Sequence, residues 1–418
     1  MKFVHFSDVH IGVENFSRTD TDTGLPSRLL DFLGSFDQVI DYCVNNNVDL
    51  AIFAGDAYKN RNPSQTHQHE FAKRIQRLSS EGIPTVLVEG NHDIPSVIGR
   101  ATALDIFKTL EVPNLILGNK AQTHVINTTS GPIQVVTIPW ARRSTLLTRQ
   151  ETKGLSLEKI NETIQQKLDT IISELASALD PSIPSILTSH VTISGAKTSS
   201  EQSMMLGRDY VLLNSSVSLP SFDYVALGHI HKQQVINESN PTVTYSGSLE
   251  RIDFGEENDE KGFYSVDLDE KAQSGNRVKK LEFIKVNSRV LLTIKVEIDS
   301  EDIDPTNKVL KEISKHDLEE TVVRLIISMP SSYEGKLIDS QIREALNKAH
   351  YIAGISITIT GAERARLGSD YNSNTSPIET LKMYLKVKKV PDQRAELLID
   401  TATSIMENTP AIKNAKNK

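Results

Sequence analysis

Residues 86–93 read VLVEGNHD, a short apolar run that breaks at a glycine into three polar side chains. An apolar run of this length, bounded by a turn residue, predicts a buried strand. Ligands of open α/β sheets collect at the carboxyl ends of such strands. Asn91, His92 and Asp93 therefore stand where a sheet would present groups to a ligand, and the rest of the chain is organised around this stretch.

Four further apolar runs end in residues that bind hard or borderline metal ions. They are Phe3–Ser7 before Asp8 and His10, Leu50–Gly55 before Asp56, Ile186–Ser189 before His190, and Tyr224–Gly228 before His229 and His231. Side chains alternate along an extended strand, so both members of an Asp-x-His or His-x-His pair are predicted to point the same way. Glycines at 55, 90 and 228 allow a close backbone approach just before the ligands. The resulting set is too large for one tetrahedral ion and suits two: Asp8, His10, Asp56, Asn91, His190, His229 and His231.

The types of donor in this set narrow the chemistry. Imidazole, carboxylate and amide oxygen without thiolate suit manganese, iron or zinc, and argue against an iron–sulfur cluster or a structural zinc site. A single Asp-x-His or Gly-Asp is more often a turn or a strand end than a ligand, but five such motifs in order are poorly explained by chance. A carboxylate shared by two ions about 3.5–4 Å apart is the arrangement expected for in-line displacement at phosphorus.

The order Asp-x-His, Gly-Asp, Gly-Asn-His-Asp, His and Gly-His-x-His resembles the calcineurin-like metallophosphoesterase superfamily. The motifs cover residues 8–231, and the domain order extends the resemblance, to the SbcD family of nuclease subunits, as far as the C-terminus. The resemblance implies a metal-dependent exonuclease and hairpin endonuclease for double-stranded DNA, acting in repair, recombination and replication. Two divalent ions, with Mn²⁺ as the expected metal, are implied as cofactors.

The resemblance also assigns roles by position. It places one ion at Asp8, His10, Asp56 and His231 and the other at Asp56, Asn91, His190 and His229, with Asp56 as the bridge. It makes His92 the residue that contacts the phosphate or protonates the leaving oxygen, with Asp93 beside it. Some relatives carry a second catalytic histidine three residues after the bridging aspartate. Lys59 occupies that position here, which leaves the role of Lys59 open.

Charge and composition bound the class of protein. Of 418 residues, 38% are hydrophobic and 24% charged, as in ordinary globular proteins of two or three domains. The single cysteine, Cys43, lies on an apolar helical face and fits a reducing cytoplasm. No segment approaches the roughly 20 apolar residues of a membrane span. We expect a cytoplasmic protein without a signal peptide, because cleavage of one would remove Asp8 and His10.

The net charge of −8 is unusual for a DNA-binding protein. A global sum does not show a local basic face, however, and a site for two divalent ions needs a local excess of carboxylate. Five basic residues near the metal loops are candidate DNA contacts, and solvated surface charge explains each of them equally well: Lys59, Arg61, Arg100, Arg142 and Arg143. Packing explains Trp140, the only tryptophan, better than base stacking does.

Helical and strand patterns alternate along the chain and predict an α/β (α+β) fold, a mixed two-sheet metallophosphoesterase sandwich flanked by helices. Predicted helices include 27–47, 65–80 and 155–179. The polar stretch 269–280 predicts the end of a nuclease domain at residues 1–275. Residues 281–365 then follow a β-α-β-α-β pattern, and the resemblance implies a capping domain there that helps to hold DNA.

Residues 376–418 predict a C-terminal helical arm after a polar linker at 369–375. Ser376, Pro377 and Glu379 form a helix start with a capping box, and two short amphipathic helices are broken near Pro391. Helices this short are unstable alone in water, so their apolar faces need a surface. Docking on the body of this chain and docking on a partner both satisfy that need. The resemblance favours an SbcC-type ATPase, bound by a homodimer within a heterotetramer.

Two other functions remain open on the sequence. A phosphoesterase for small nucleotides or phosphoproteins would use the same ligands in a closed pocket, whereas DNA needs an open groove. A scaffold with a vestigial metal site would have no use for seven convergent ligands, and the intact set argues against it.

Overall fold

The structure is a computed structural model that describes residues 1–95, 97, 99–199, 209–360, 376–388 and 390–408. In these ranges the strands are β1 Lys2–Phe6, β2 Leu50–Phe53, β3 Thr85–Val88, β4 Leu115–Gly118, β5 Gln122–Thr128, β6 Gly131–Ile138, β7 Ser185–His190, β8 Thr192–Ile193, β9 Val211–Leu212, β10 Tyr224–Gly228, β11 Gln234–Asn237, β12 Thr242–Tyr245, β13 Gly262–Leu268, β14 Val278–Lys285, β15 Leu291–Glu297, β16 Val322–Pro330 and β17 Tyr351–Thr360. The helices are α1 Ser27–Asn45, α2 Gln65–Ser80, α3 Asp105–Thr109, α4 Arg143–Leu146, α5 Arg149–Thr152, α6 Leu157–Ser177, α7 Asn214–Val217, α8 Pro305–Ile313, α9 Asp339–Ala345, α10 Pro377–Val387 and α11 Asp392–Asn408, with 3-10 helices at Phe254–Glu256 and Ser331–Tyr333. None of these helices has the length and apolar character that crossing a membrane requires.

Two six-stranded mixed sheets carry the first part of the chain. The first has the order β14-β13-β1-β2-β3-β4, in which β1 to β4 run parallel, β13 is antiparallel to β1, and β14 is antiparallel to β13. The second has the order β11-β12-β10-β7-β6-β5, in which β12, β10, β7 and β6 run parallel and both edge strands are antiparallel. The prediction of a mixed sheet arrangement is confirmed.

Three apolar clusters show how the layers pack. The inner cluster joins Phe3 and Ile52 of the first sheet to Ile186 and Tyr224 of the second, so the two sheets face each other. A second cluster lies under α1 and α2, and a third lies under α6. Buried residues recur along each helix at the three-to-four spacing that predicted it. The prediction of a two-sheet sandwich flanked by helices is therefore confirmed.

Cys43 lies in α1 and is fully buried against the first sheet. Burial raises the pKa of its thiol to about 12, so the sulfur stays protonated near neutral pH. Its place on the apolar face of the helix is the one that the sequence predicted.

The chain divides into two compact units. The first comprises Met1–Lys295, Leu310–Ile326 and Asp339–Ser356, and the second comprises Val296–Val309, Ile327–Ile338 and Ile357–Lys418. The stretch 269–280 contains the turn that leads into β14, and β14 pairs with β13, so the first sheet continues past residue 275. The division at 1–275, 281–365 and 376–418 stays a prediction. The order β15, α8, β16, α9, β17 is the one expected for residues 281–365, of which 361–365 lie outside the described residues.

The C-terminal helices begin as the sequence predicted. Ser376 caps α10 through the Glu379 backbone N–H, the Glu379 side chain accepts from the Ser376 backbone N–H, and Pro377 is the first helical residue. The break between α10 and α11 falls at residues 388–391, and the two helices pack on each other. The predicted linker at 369–375 and the last ten residues lie outside the described residues.

Candidate metal centre

All seven predicted ligands meet at one edge of the sandwich, within the first unit. Asp8 and His10 follow β1, Asp56 follows β2 and Asn91 follows β3, all in the first sheet. His190 ends β7, and His229 and His231 follow β10, in the second sheet. Because these strands run parallel within each sheet, their carboxyl ends lie at the same edge, which brings the side chains together.

One half of the cluster contains Asp8, His10 and His231. The Nε2 atoms of His10 and His231 are 3.1 Å apart, and the Asp8 Oδ1 lies 3.6 Å from the first and 4.0 Å from the second. All three side chains are buried. Three donor atoms therefore surround one point.

The other half contains Asp56, His190 and His229, with Asn91 beside them. The Asp56 Oδ2 lies 3.2 Å from His190 Nε2, and the Asn91 Oδ1 lies 3.1 Å from both His190 Nε2 and His229 Nδ1. The same Asp56 oxygen is 3.7 Å from His10 Nε2, in the first half. Asp56 therefore lies between the two groups, where a bridging ligand would be.

Contacts among the nitrogen and oxygen atoms of these side chains are explained better by bound divalent ions than by hydrogen bonds between the side chains. Two imidazole nitrogens that face each other at 3.1 Å share at most one proton, and a common cation resolves that contact. The Nε2 of His229 is buried and has no hydrogen-bond partner among the described residues. An orphaned buried nitrogen costs free energy unless another ligand fills its place. Carboxylate, imidazole and amide donors together suit Mn²⁺, Fe²⁺ or Zn²⁺.

A hydrogen bond orients His190, and the charges of His190 and Asp56 stabilise each other. The Nδ1–H of His190 donates to the Ala54 carbonyl oxygen at 2.7 Å, which leaves Nε2 facing Asp56. Burial alone would lower the pKa of His190, but the Asp56 carboxylate raises it to about 9. Burial would likewise raise the pKa of Asp56, but His190 and His92 hold it well below its usual value. Asp56 is therefore an ionised carboxylate throughout the physiological range.

The backbone that carries these ligands is strained. Asp8, His10, Asp56 and His229 have φ values of 52°, 48°, 62° and 91°. Left-handed backbone is uncommon for residues other than glycine, and it concentrates at functional sites where the surrounding structure enforces it. Asp8 and His10 both enter the first half of the centre, as predicted, whereas His231 enters the first half and His229 the second. All four side chains still meet at one centre, but the physical reason differs from the predicted one. Left-handed turns after the strands bring them together, since neither pair lies in the extended backbone that side-chain alternation requires.

Glycine is required where the loops meet. A Cβ at Gly90 would lie 2.1 Å from the Asp56 Oδ1 and 2.6 Å from the Asp56 backbone nitrogen. At Gly55, φ is 101° and a Cβ would lie 2.3 Å from His190 Nδ1. The close approach predicted for both glycines is confirmed.

His92 and Asp93 have different surroundings. His92 lines the cleft, its backbone N–H donates to the Asp56 Oδ1 at 2.8 Å, and its Nδ1 lies 2.6 Å from the Lys59 carbonyl oxygen. Asp93 is buried and its two oxygens accept the backbone N–H groups of residues 56, 57, 58 and 90. Asp93 thus ties the loop of Asp56 to the VLVEGNHD loop. The Lys59 side chain also lines the cleft.

A cleft of about 700 Å³ opens over the ligands, lined on one side by Lys59 and Arg61. A smaller cleft of about 300 Å³ adjoins it at Asn91 and is lined by Arg61, Arg142 and Arg143. The fifth basic candidate, Arg100, is exposed and is not among the described residues that line either cleft.

Three residues near the ligands were not predicted from the sequence. Asp209 lines the cleft, with its Oδ2 at 3.8 Å from His229 Nε2, and it follows a polar loop that gives no signal for it. Glu256 and Lys261 lie buried behind His231 in an acidic run that looks solvated. Trp140 packs on His229, with ring centroids 5.0 Å apart, in agreement with the predicted packing role.

The chain is similar in sequence to one protein family and to several known proteins. The family model for calcineurin-like phosphoesterases matches residues 1–233, more than half of the 418-residue chain. The SbcD subunit of the nuclease SbcCD from Staphylococcus epidermidis is 30% identical over 272 residues, which cover 64% of this chain and 66% of that protein. The DNA double-strand break repair protein Mre11 of Methanococcus maripaludis is 26% identical over 274 residues (64% and 63%), and that of Archaeoglobus fulgidus is 26% identical over 260 residues (61% and 52%).

The chain thus spans less than two thirds of the length of these relatives. The matched residues 1–233 contain all seven ligands described above. The chain belongs to the calcineurin-like phosphoesterase family, whose members are hydrolases that use divalent metal ions.

Proposed function

We propose that this chain is a two-metal phosphodiesterase that cleaves double-stranded DNA at ends and hairpins, as the nuclease component of an SbcC–SbcD type complex. The observation that carries the catalytic part is the position of Asp56 between two clusters of buried imidazoles. Similarity to a nuclease component and to two double-strand break repair proteins supports DNA as the substrate.

Each half of the centre would hold one ion. Asp8, His10 and His231 would bind the first, Asn91, His190 and His229 the second, and Asp56 would bridge them. When bound, two such ions lower the pKa of a water molecule and clamp the phosphate oxygens as charge builds up in the transition state. A set without thiolate suits Mn²⁺, Fe²⁺ or Zn²⁺, and among these the resemblance to the SbcD family leads us to expect Mn²⁺.

The residues around the ions would position and protonate the substrate. His92 faces the cleft and its Nδ1–H donates to the Lys59 carbonyl oxygen, which fixes the orientation of the ring. In the imidazolium form, its Nε2–H would donate a proton to the departing oxygen and leave the neutral ring. Asp93, which the resemblance places beside His92 as a catalytic residue, is better placed to hold the Asp56 loop through four backbone N–H groups.

A basic track leads away from the centre. Arg61, Arg142 and Arg143 line the smaller cleft that adjoins Asn91. Guanidinium groups suit phosphate because they form two parallel hydrogen bonds to it. We assign these three side chains, with Lys59, to the DNA backbone on one side of the scissile phosphate. The exposed Arg100 has weaker support.

Two exposed apolar surfaces support the proposed assembly. In α11, Leu397, Leu398 and Ile405 are exposed, as expected for a helix that binds an SbcC-type ATPase through the arm at residues 376–418. Near α3, Ile106 and Leu110 are exposed, and these we assign to contacts between two copies of this chain. The single buried cysteine is consistent with a cytoplasmic location.

The decisive experiment incubates the purified protein with Mn²⁺ and three substrates: linear duplex DNA, hairpin DNA and a small phosphodiester such as bis(p-nitrophenyl) phosphate. We expect metal-dependent cleavage of both DNAs, stimulated by an SbcC-type ATPase and abolished by chelation. Cleavage of the small diester alone would identify a small-molecule phosphodiesterase. Undiminished cleavage after complete metal removal would refute the two-metal mechanism.

A further inference from the structure

His231 is held from behind by a buried carboxylate. Its Nδ1 lies 2.7 Å from Glu256 Oε1, while its Nε2 faces His10 in the first half of the centre. Glu256 belongs to the short 3-10 helix Phe254–Glu256 and its side chain is fully buried. A neutral imidazole donates from one nitrogen and accepts at the other. Donation from Nδ1 to Glu256 therefore leaves the Nε2 lone pair directed toward Asp8 and His10.

A buried lysine keeps Glu256 in its ionised form. The Lys261 ammonium donates to Glu256 Oε2 at 2.8 Å, to Ser248 Oγ at 2.8 Å and to the His231 carbonyl at 3.2 Å, which uses all three of its protons. The backbone N–H of Ile252 also donates to Oε2, at 3.1 Å.

The buried Glu256–Lys261 ion pair is not expected to stabilise the fold more than apolar side chains of similar volume would. Removing two charges from water carries a large desolvation penalty, and apolar replacements of similar volume are often as stable as a buried ion pair. Both side chains are 0% exposed, so solvent does not reduce that cost. Stability therefore does not explain the Glu256–Lys261 pair, whereas a role in orienting His231 and making it more basic does.

We infer that Glu256 is a positioning residue that fixes the tautomer and direction of His231 for the first metal ion, with Lys261 as its counter-ion. The inference rests on the proposed two-metal function. In the other half of the centre, His190 is oriented by the neutral Ala54 carbonyl. A carboxylate partner makes a ligating imidazole more basic than a carbonyl partner does, so the two ions are expected to depend on their supporting groups unequally.

The test is a Mn²⁺ titration by calorimetry, with electron paramagnetic resonance to detect the coupled pair of ions. For Glu256→Gln we expect one of the two ions to bind roughly 10–100-fold more weakly, with the other unchanged. The signal of the coupled pair should disappear at Mn²⁺ concentrations that saturate the wild type and return when more Mn²⁺ is added. Glu257→Gln is the matched control, because the adjacent Glu257 side chain accepts hydrogen bonds from Thr293 instead.

Glu256→Gln leaves the Lys261 charge without its carboxylate and can unfold the protein, so the double variant Glu256→Gln/Lys261→Met removes both charges. It should keep a cooperative melting transition and show the same selective loss of one ion. A wild-type protein that binds no Mn²⁺ would refute the proposed function. Two ions in the wild type and unchanged affinities in the folded Glu256 variants would overturn only the role of Glu256, as would an equal loss in Glu257→Gln.

Discussion

The metal centre and the C-terminal helices differ in burial. This chain buries the charged side chains of the centre, but it leaves apolar side chains of the helices exposed. At the centre, the carboxylates and imidazoles of the proposed ligand set are buried and positioned by the ends of strands. In α11, Leu398 is 42% exposed and Ile405 62%, whereas Leu385 of α10 is 5% exposed. One apolar side chain of this helix pair is thus covered and others are open to solvent.

The difference has a physical origin. The strand ends are held by the core between two six-stranded sheets, so the ligands are organised before any ion arrives. Two helices of 11 and 17 residues gain little stability from each other in water. The centre is therefore pre-organised within this chain, while the helices leave apolar side chains exposed, as the proposed contact with a partner requires. The following predictions test that contrast, from the largest expected effect to the smallest.

Asp56→Ala is expected to have the largest effect, because both halves of the centre lose the carboxylate between them. Cleavage of duplex DNA should fall to the level of the chelated wild type. Bound Mn²⁺, measured by elemental analysis after gel filtration, should fall below two per chain. Full activity in this variant would contradict the proposal that a pre-organised centre with a bridging Asp56 carries the activity.

His92→Gln should lower the rate of cleavage by about 10²–10⁴-fold, the usual contribution of a general acid. Because His92 is proposed to act on the substrate, the variant should retain two Mn²⁺ and bind DNA as the wild type does. The rate is measured in single-turnover assays at saturating Mn²⁺. A stoichiometry of one ion would instead make His92 a ligand, as its place near His10 and Asp56 permits.

Gly90→Ala tests how tightly the centre is organised. The added Cβ would lie 2.1 Å from the Asp56 Oδ1, so the loops must separate. A misplacement of about 1 Å at a reacting centre costs about 10²-fold in rate, and we expect a loss of this order. Gly34→Ala is the control, because Gly34 is exposed in α1 and a Cβ there meets nothing within 4 Å. That variant should keep its activity and gain about 0.5–1 kcal/mol in the free energy of unfolding, measured by urea denaturation. Equal activity in both variants would show that the centre tolerates rearrangement.

Leu398→Glu should leave the nuclease activity of the chain without the ATPase unchanged. It should weaken binding of an SbcC-type ATPase roughly 30-fold, as loss of a central interface residue does. A chain that ends at Asp370 should lose the interaction while keeping its fold and metal-dependent activity. Gln393→Glu adds the same charge elsewhere on α11 and should bind normally. Binding is measured by co-purification and by fluorescence anisotropy. If the shortened chain binds with unchanged affinity, the helices belong to the architecture of this chain.

The sequence predicted those parts of the molecule in which local pattern and environment agree. The boundaries of α2 and β10 match the predicted ranges residue for residue, because apolar spacing and flanking turn residues specify both. The start of α10 was equally predictable, since Ser376, Pro377 and Glu379 occupy the positions that a capping box requires. The candidate ligands could be located because they lie at the ends of apolar runs.

Other features depend on contacts between distant parts of the chain. Glu256 lies in an acidic run that resembles a solvated surface, and only the fold shows that this side chain is buried against His231 and Lys261. The left-handed backbone of Asp8 and Asp56 is imposed by hydrogen bonds between loops, such as that from the Asp8 N–H to the Gly55 carbonyl. The first residues of β14 fall in the polar stretch 269–280 that predicts a domain boundary, and only the pairing with β13 shows that the first sheet continues there. No local pattern records these long-range contacts.

The reactivity of Cys43 reports local unfolding of α1. It is the only cysteine in the sequence, it is fully buried, and its pKa is raised to about 12, so thiol reagents react with it only while α1 is separated from the first sheet. The rate of alkylation in the native protein therefore measures how often that layer opens. Because β2 lies beneath α1 and leads directly to Asp56, slower alkylation in the presence of Mn²⁺ would express metal binding as increased local stability of the sheet. The same burial makes a cysteine introduced at the surface the preferred point of attachment for a fluorescent label.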